Sequence, residues 1–254
     1  MTWLGPGLTL PEAFGDRLAG YRARTSFQGD DAATFRLERE GHPTVYLKRR
    51  ADPGELQPLA VERFVLHRLL GSGLPAPRAL HYLRLEDTEW LLVSGLPGRN
   101  LVEALDEGLS PQAAVEVVAA AVARIHATRP AWPEDINAVP YRLEQARARV
   151  REGLVDRAVL AEFERGWREP EERVFVHGDL CLPNLLVEGG ALSGLVDWSR
   201  AGYGDPYQDL ALAVRSLEHN LGPGDWDRRL AEACGLGALD AERLALWRTF
   251  DELF

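Results

Sequence analysis

Apolar and polar residues alternate over two short stretches near the amino terminus, Phe35 to Leu37 and Thr44 to Leu47, and Gly41-His42-Pro43 breaks the pattern between them. Period-two alternation around a Gly/Pro turn predicts two antiparallel strands of a small sheet, the second ending at Lys48. The period then changes. Leu59, Val61, Phe64, Val65 and Leu69 recur at helical spacing and predict a helix over Leu56 to Leu70, with Glu62 among them. Trp90 to Val93 is an unbroken apolar run, read as a buried strand. It stops at Ser94-Gly95-Leu96-Pro97-Gly98, where glycine and proline end regular structure. That break is the predicted boundary between an amino-terminal lobe, 1–95, and a carboxy-terminal lobe, 96–254.

Helical spacing dominates after the break. Ser110-Pro111 supplies an N-cap with proline at the first helical position, and Ala114, Val117, Val118, Ala121 and Ile125 then share one face of a core helix. His126 at its end is read as a capping or packing residue. Two further helices are predicted, Tyr141 to about Leu154 and Val155 to about Trp167. Arg142, Arg147, Arg149 and Arg151 alternate with Glu144 and Glu152 on the first of these, which reads as a solvated, salt-bridged face. Leu185-Leu186-Val187, a Gly189-Gly190 turn and Leu192 to Val196 predict a short β-hairpin that returns Asp197 beside Asn184.

Composition narrows the classes. At 254 residues and 46% hydrophobic the chain can bury a sizeable core, in one large domain or two lobes. Acidic residues outnumber basic ones 39 to 29, for a formal charge of −10, which disfavours nucleic acid or an anionic membrane and suits a polycationic partner. Cys181 and Cys234 are the only cysteines and read as two reduced thiols, with Cys181 a packing residue. The start, MTWLGPGLTLPEAFG, has no basic segment ahead of an apolar run, and nowhere do eighteen apolar residues occur together. The expectation is a cytoplasmic protein.

The chemistry concentrates in VHGDLCLPNLLVEGGALSGLVDW, Val176 to Trp198. Asp179 and Asn184 have the D-x-x-x-x-N spacing of catalytic loops that transfer phosphoryl groups from ATP, in which the Asp accepts the substrate hydroxyl proton and the Asn holds Mg²⁺. Asp197, thirteen residues on, supplies a second oxygen ligand. Two such ligands suit Mg²⁺, which keeps part of its hydration and takes few protein carboxylates.

HGDLCLPN, followed by GLVDWSR and DPYQDLALAVR, resembles the aminoglycoside phosphotransferase family, most of all its 3′-phosphotransferase (kanamycin kinase) branch. WLLVSGLPGRNL, EQARARVREGLVD and the closing LWRTFDELF extend the resemblance over nearly the whole chain. It implies an α+β, two-lobed protein-kinase-like fold, with a small antiparallel sheet in the first lobe and a mainly helical second. It also implies an ATP- and Mg²⁺-dependent transfer of the γ-phosphoryl group to an aminoglycoside hydroxyl, the 3′-hydroxyl by preference. By the same resemblance Lys48 binds the α- and β-phosphates and Glu62 orients it, although Glu55 offers another carboxylate on that segment. The loop Thr25 to Asp31, with the Ser26 hydroxyl, covers the phosphates, and the Ser94 carbonyl and Leu96 amide bind adenine. Glu162, Asp251 and the terminal carboxylate of Phe254 match acceptor positions, as do Arg200 and Arg215.

The chain departs from these relatives where Ser216, His219 and Ala161 replace acids. Charged hydrogen bonds contribute ~1.5–3 kcal/mol each, so losing two weakens a polyamine by ~3–6 kcal/mol. That amounts to about 10²–10⁴ in affinity. The alternatives are a metabolic small-molecule kinase acting on another hydroxylated amine, and a catalytically silent nucleotide-binding relative.

Overall fold

The structure, a computed structural model, describes residues 2–3, 9–51, 58–133 and 136–254. The chain divides into two units, Met1–His67 with Pro77–Gly95, and Arg68–Ala76 with Leu96–Phe254. Residues 68–76 go with the second unit although they fall inside the 1–95 range read from sequence; there Pro75 O accepts the Leu195 N–H at 2.8 Å.

In the first unit a short pair, β1 (Thr2–Trp3) and β2 (Thr9–Leu10), precedes a five-stranded antiparallel sheet. Its strands are β3 (Arg22–Gln28), β4 (Ala32–Glu38), β5 (Val45–Ala51), β6 (Ala79–Leu85) and β7 (Thr88–Ser94), in the order β3-β4-β5-β7-β6. Strand parity assigns the faces. Ala33, Phe35 and Leu37 of β4, Val45 and Leu47 of β5, and Trp90 and Leu92 of β7 enter one core with Leu10, Phe14 and Leu18. Burying each large side chain there stabilises the fold by about 1.5–3 kcal/mol. The opposite parity sends Lys48, Glu89 and Leu91 to the other face, where α1 (Pro58–Arg68) lies with Leu59, Glu62, Val65 and Leu66 buried. The sequence reading ends the second strand at Lys48. The structure carries it on to Ala51, so Lys48 sits mid-strand, opposite Thr34 of β4 and Leu91 of β7.

The second unit opens with β8 (Arg99–Asn100) and α2 (Leu101–Asp106), whose Asn100 and Glu103 form a capping box. α3 (Pro111–Ala127) follows, capped by Ser110 Oγ on Ala113 N–H at 3.2 Å, with all five of its predicted core residues buried. α4 (Val139–Arg151) and α5 (Arg157–Gly166) are each shorter than their predicted spans. β9 (Val174–Val176), β10 (Leu185–Glu188), β11 (Ala191–Leu195) and β12 (Gly202–Gly204) make two small antiparallel sheets, β11-β10-β8 and β12-β9. The chain closes with α6 (Tyr207–Leu221), α7 (Trp226–Ala233) and α8 (Ala241–Asp251). Among the described residues no helix is long and apolar enough to cross a membrane.

Candidate active site

Lys48 leaves β5 on the face that α1 covers, and its Nζ lies 2.7 and 2.8 Å from the two carboxylate oxygens of Glu62. Glu62 is 1% exposed and Lys48 13%. A carboxylate so far from water costs several kcal/mol unless it is paired, so the ion pair is a condition of placing Glu62 there. Glu55, the alternative carboxylate, lies outside the described residues. Ser26 is not in a loop. Thr25 to Gln28 continue β3, the register skips from Thr25 to Phe27, and Ser26 is the exposed extra residue of a β-bulge. The turn itself is shorter, with Gly29 N–H donating to Ala32 O at 2.8 Å. Ser94 ends β7, where its Oγ accepts the Arg78 N–H at 2.9 Å. Leu96 opens the second unit's main stretch and packs beside Gly194.

Sequence reasoning missed Glu89. This fully buried carboxylate on β7 accepts the N–H groups of Leu59 and Ala60 at 3.3 and 3.1 Å, and the Tyr82 hydroxyl at 2.7 Å. Those amides belong to the first turn of α1 and have no partner within the helix. Burial and the bond to Glu89 push the Tyr82 hydroxyl up to about 12. The available signal was a single acid heading the apolar run of β7.

In the second unit the segment from His177 to Asp197 is fixed mainly by its backbone. Buried Asp209 on α6 accepts His177 N–H at 2.9 Å and Gly178 N–H at 2.8 Å, and its Oδ2 lies 3.1 Å from His126 Nε2. His126, read as a capping or packing residue, is therefore tied to the loop through Asp209. Gly178 has φ +80, and a Cβ there would meet Arg200 O at 2.3 Å, so no other residue fits. The His177 ring donates from Nε2 to Val196 O at 3.0 Å and accepts the Asp179 N–H at Nδ1 at 3.3 Å. It is a strut between the two ends of the segment. The Ser216 hydroxyl accepts the Leu182 N–H at 2.9 Å.

The hairpin forms as read. β10 pairs with β11, Val196 N–H donates to Asn184 O at 3.0 Å, and Asp197 follows directly. Asn184 Nδ2 donates to Asp179 O at 2.9 Å and to its Oδ2 at 3.2 Å, which ties the amide to the half-buried Asp179 and turns Asn184 Oδ1 the other way. Asp197 has φ 70 and ψ 60, left-handed backbone that costs roughly 1–2 kcal/mol in a non-glycine residue. One amide oxygen and an exposed carboxylate suit a hard cation that keeps its water. Among the described residues no cluster of three His, Cys, Asp or Glu side chains competes for a softer ion. Burial, with Asp179 and Asp197 nearby, pushes the Cys181 thiol far up, so it is no nucleophile; both cysteines are free.

On the acceptor side, Asp251 of α8 accepts Arg200 Nη1 at 2.6 Å on one oxygen and Arg215 Nη2 at 2.5 Å on the other. Burial opposes the Arg200 charge, but Asp179 and Asp251 outweigh it and raise its pKa. Arg142 corrects the solvated-face reading of α4. It is buried, with its guanidinium 3.7 Å from the Phe254 ring centroid. Burial, aided by Arg200, pushes it down to about 9. Arg147 on the same helix does pair with Glu144 and Glu164, at 2.5 and 2.6 Å. Glu162 and His219 are exposed, and Glu218 pairs with Arg248 at 3.4 Å. Ser216 is buried against the catalytic loop, so the acid missing at that position is not missing from an open surface.

A family model for the phosphotransferase enzyme family matches residues 25–247. The chain is 32% identical to an aminoglycoside 3′-phosphotransferase of Streptomyces ribosidificus over 89% of its own length and 93% of the relative's. It is 31% identical to that of Streptomyces fradiae, over 85% and 87%. The chain belongs to the aminoglycoside phosphotransferase family. The crystal structure of a type VIII aminoglycoside 3′-phosphotransferase superposes with a TM-score of 0.80 at 28% identity, covering 95% of this chain and 97% of that one. The α+β, two-lobed protein-kinase-like fold expected from sequence is the fold of this phosphotransferase, a kinase with an alcohol acceptor.

Proposed function

We propose that this phosphotransferase moves the γ-phosphoryl group of ATP, with Mg²⁺, to a hydroxyl of an aminoglycoside, the 3′-hydroxyl by preference, and so confers resistance. One observation carries the site assignment. The Asn184 amide is bonded to Asp179 while the hairpin ladder on Asn184 O brings Asp197 back beside it. A base and two oxygen ligands then share one corner of the second unit.

Asp179 takes the hydroxyl proton and orients the hydroxyl. Asn184 and Asp197 hold Mg²⁺, which when bound neutralises charge on the phosphates. Lys48, fixed by Glu62, binds those phosphates, Ser26 lies in the strand pair that covers them, and the backbone at Ser94 and Leu96 binds adenine. Arg200, Arg215, Asp251, Glu162 and the Phe254 carboxylate shape the acceptor side. Catalysis of this kind is positioning and charge neutralisation. The protein acts in the cytoplasm, where ATP is supplied, as an amino-terminal lobe and a carboxy-terminal lobe that divide at Gly95, with residues 68–76 counted in the second.

Support comes from the relatives, which are aminoglycoside 3′-phosphotransferases over nearly their full lengths. A coupled ADP-release assay across aminoglycosides with and without a 3′-hydroxyl tests the reading. Turnover confined to drugs that carry that hydroxyl is the expected result. Turnover only with other hydroxylated amines makes the protein a metabolic kinase, and no turnover with any acceptor makes it a silent relative.

A further inference from the structure

We infer that Glu89 is a positioning residue for the nucleotide-binding lysine. It bolts the first turn of α1 to the sheet, so that Glu62, within the next turn, meets Lys48. The inference rests on the proposed role of the Lys48–Glu62 pair.

Lys48 and Glu62 stand on different elements, so their 2.7 Å contact requires α1 to keep its height and rotation over β5. Apolar packing by Leu59, Val65 and Leu66 holds the helix against the sheet but is non-directional, and leaves sliding and rotation soft. Directional bonds remove that freedom. Glu89 supplies them from β7, the strand hydrogen-bonded to β5, and stands opposite Arg50 while Leu91 stands opposite Lys48. Glu89 and Lys48 therefore rise from one sheet face on adjacent strands. Two N–H bonds from consecutive residues, Leu59 and Ala60, fix both the position and the rotation of the turn that bears them. Glu62 is two residues beyond Ala60. The carboxylate also lies at the positive end of the helix, an attractive placement for an acidic side chain. Tyr82, from the edge strand β6, donates to the same oxygen as Ala60 and keeps Glu89 from rotating away.

The test measures the KM for ATP in Glu89→Gln, Glu62→Gln and the double variant. Binding of a non-hydrolysable ATP analogue by calorimetry and thermal unfolding accompany it. Glu89→Gln should raise the KM for ATP about tenfold, the loss of one good charged bond. The KM for the acceptor should stay within about twofold, because the helix carries no proposed acceptor contact. In the Glu62→Gln background the same change should add less than about twofold, since both act through Lys48. Equal effects in both backgrounds, or a lower unfolding midpoint with normal nucleotide binding, would show a purely structural cap and overturn the inference. If Glu62→Gln leaves the KM for ATP unchanged, the proposed role of the ion pair itself fails, and the inference with it. If Glu62→Gln raises it and Glu89→Gln does not, only the inference fails. Should Glu89→Gln not fold, Tyr82→Phe removes one donor from the same carboxylate. It should show a smaller rise with the same dependence on Glu62, and a rise independent of Glu62 would count against the proposal.

Discussion

Ser216 Oγ accepts the backbone N–H of Leu182 at 2.9 Å, so a residue that sequence comparison places among missing acceptor acids is a strut of the catalytic loop. Removing the hydroxyl strands a buried amide, which costs ~1–3 kcal/mol. Ser216→Ala should lower the unfolding midpoint accordingly and reduce kcat. Ser216→Asp should not improve the KM for kanamycin; a clear improvement would show that position 216 faces the acceptor after all. His219→Glu, on the exposed side of α6, is the substitution that can add an acid to an open surface.

Asp179→Ala should reduce turnover by ~10² or more while nucleotide affinity stays near normal, the lower range for loss of a general base. Single-turnover kinetics beside nucleotide titration separates the two effects. Turnover at the wild-type level would remove Asp179 from the chemistry.

Asp197 offers an opposed pair of outcomes. Its left-handed backbone is strained for aspartate and free for glycine, so Asp197→Gly should abolish Mg²⁺-dependent nucleotide binding yet unfold at the same temperature or higher. Calorimetry with and without Mg²⁺, together with a melting curve, reads both. Lost stability would mean that the Asp197 side chain serves the fold rather than the site.

Asp251 holds two arginines. Replacing it by Ala frees Arg200 and Arg215 from their shared anion, and the acceptor KM should rise by about tenfold or more, the scale of one charged bond. The KM for ATP should hold within about twofold. Steady-state kinetics with each substrate varied in turn is sufficient, and equal changes in both constants would place Asp251 in general folding.

Tyr82 sets an alkaline limit. Its hydroxyl, ordinarily near 10, is pushed up to about 12, so the folded protein holds that proton after the unfolded chain has released it. The contribution is fully present below about pH 10 and fades as pH rises towards about 12. Tyr82→Phe should flatten that part of the stability profile relative to the parent protein. Parallel profiles for the two proteins would contradict it.

Local patterns were legible because they need only neighbours in the chain. The Asp179–Asn184 spacing, the Gly189-Gly190 hairpin and the Ser110-Pro111 helix start all involve contacts within a few residues, and the structure forms them. The end of β5 was misplaced at Lys48 because a lysine looks like a strand terminus until two neighbouring strands cover it. Ser26 looked like a loop residue because a bulge breaks alternation as a turn does. Arg142 looked solvated because charge and helical spacing carry no record of which helix face is covered by Phe254.

The sequence by itself determined the helix that starts at Ser110-Pro111, the Gly189-Gly190 hairpin, the phosphoryl-transfer motif, and the family through its resemblance. Each is written in residue types at short spacing. Only the tertiary structure decided which buried acids hold which backbone amides: Glu89 on α1, and Asp209 on His177 and Gly178, partners thirty or so residues away. The physical reason is that an acid's role depends on the donors brought around it once water is excluded. Those donors are main-chain N–H groups, which every residue but proline carries and no sequence pattern marks.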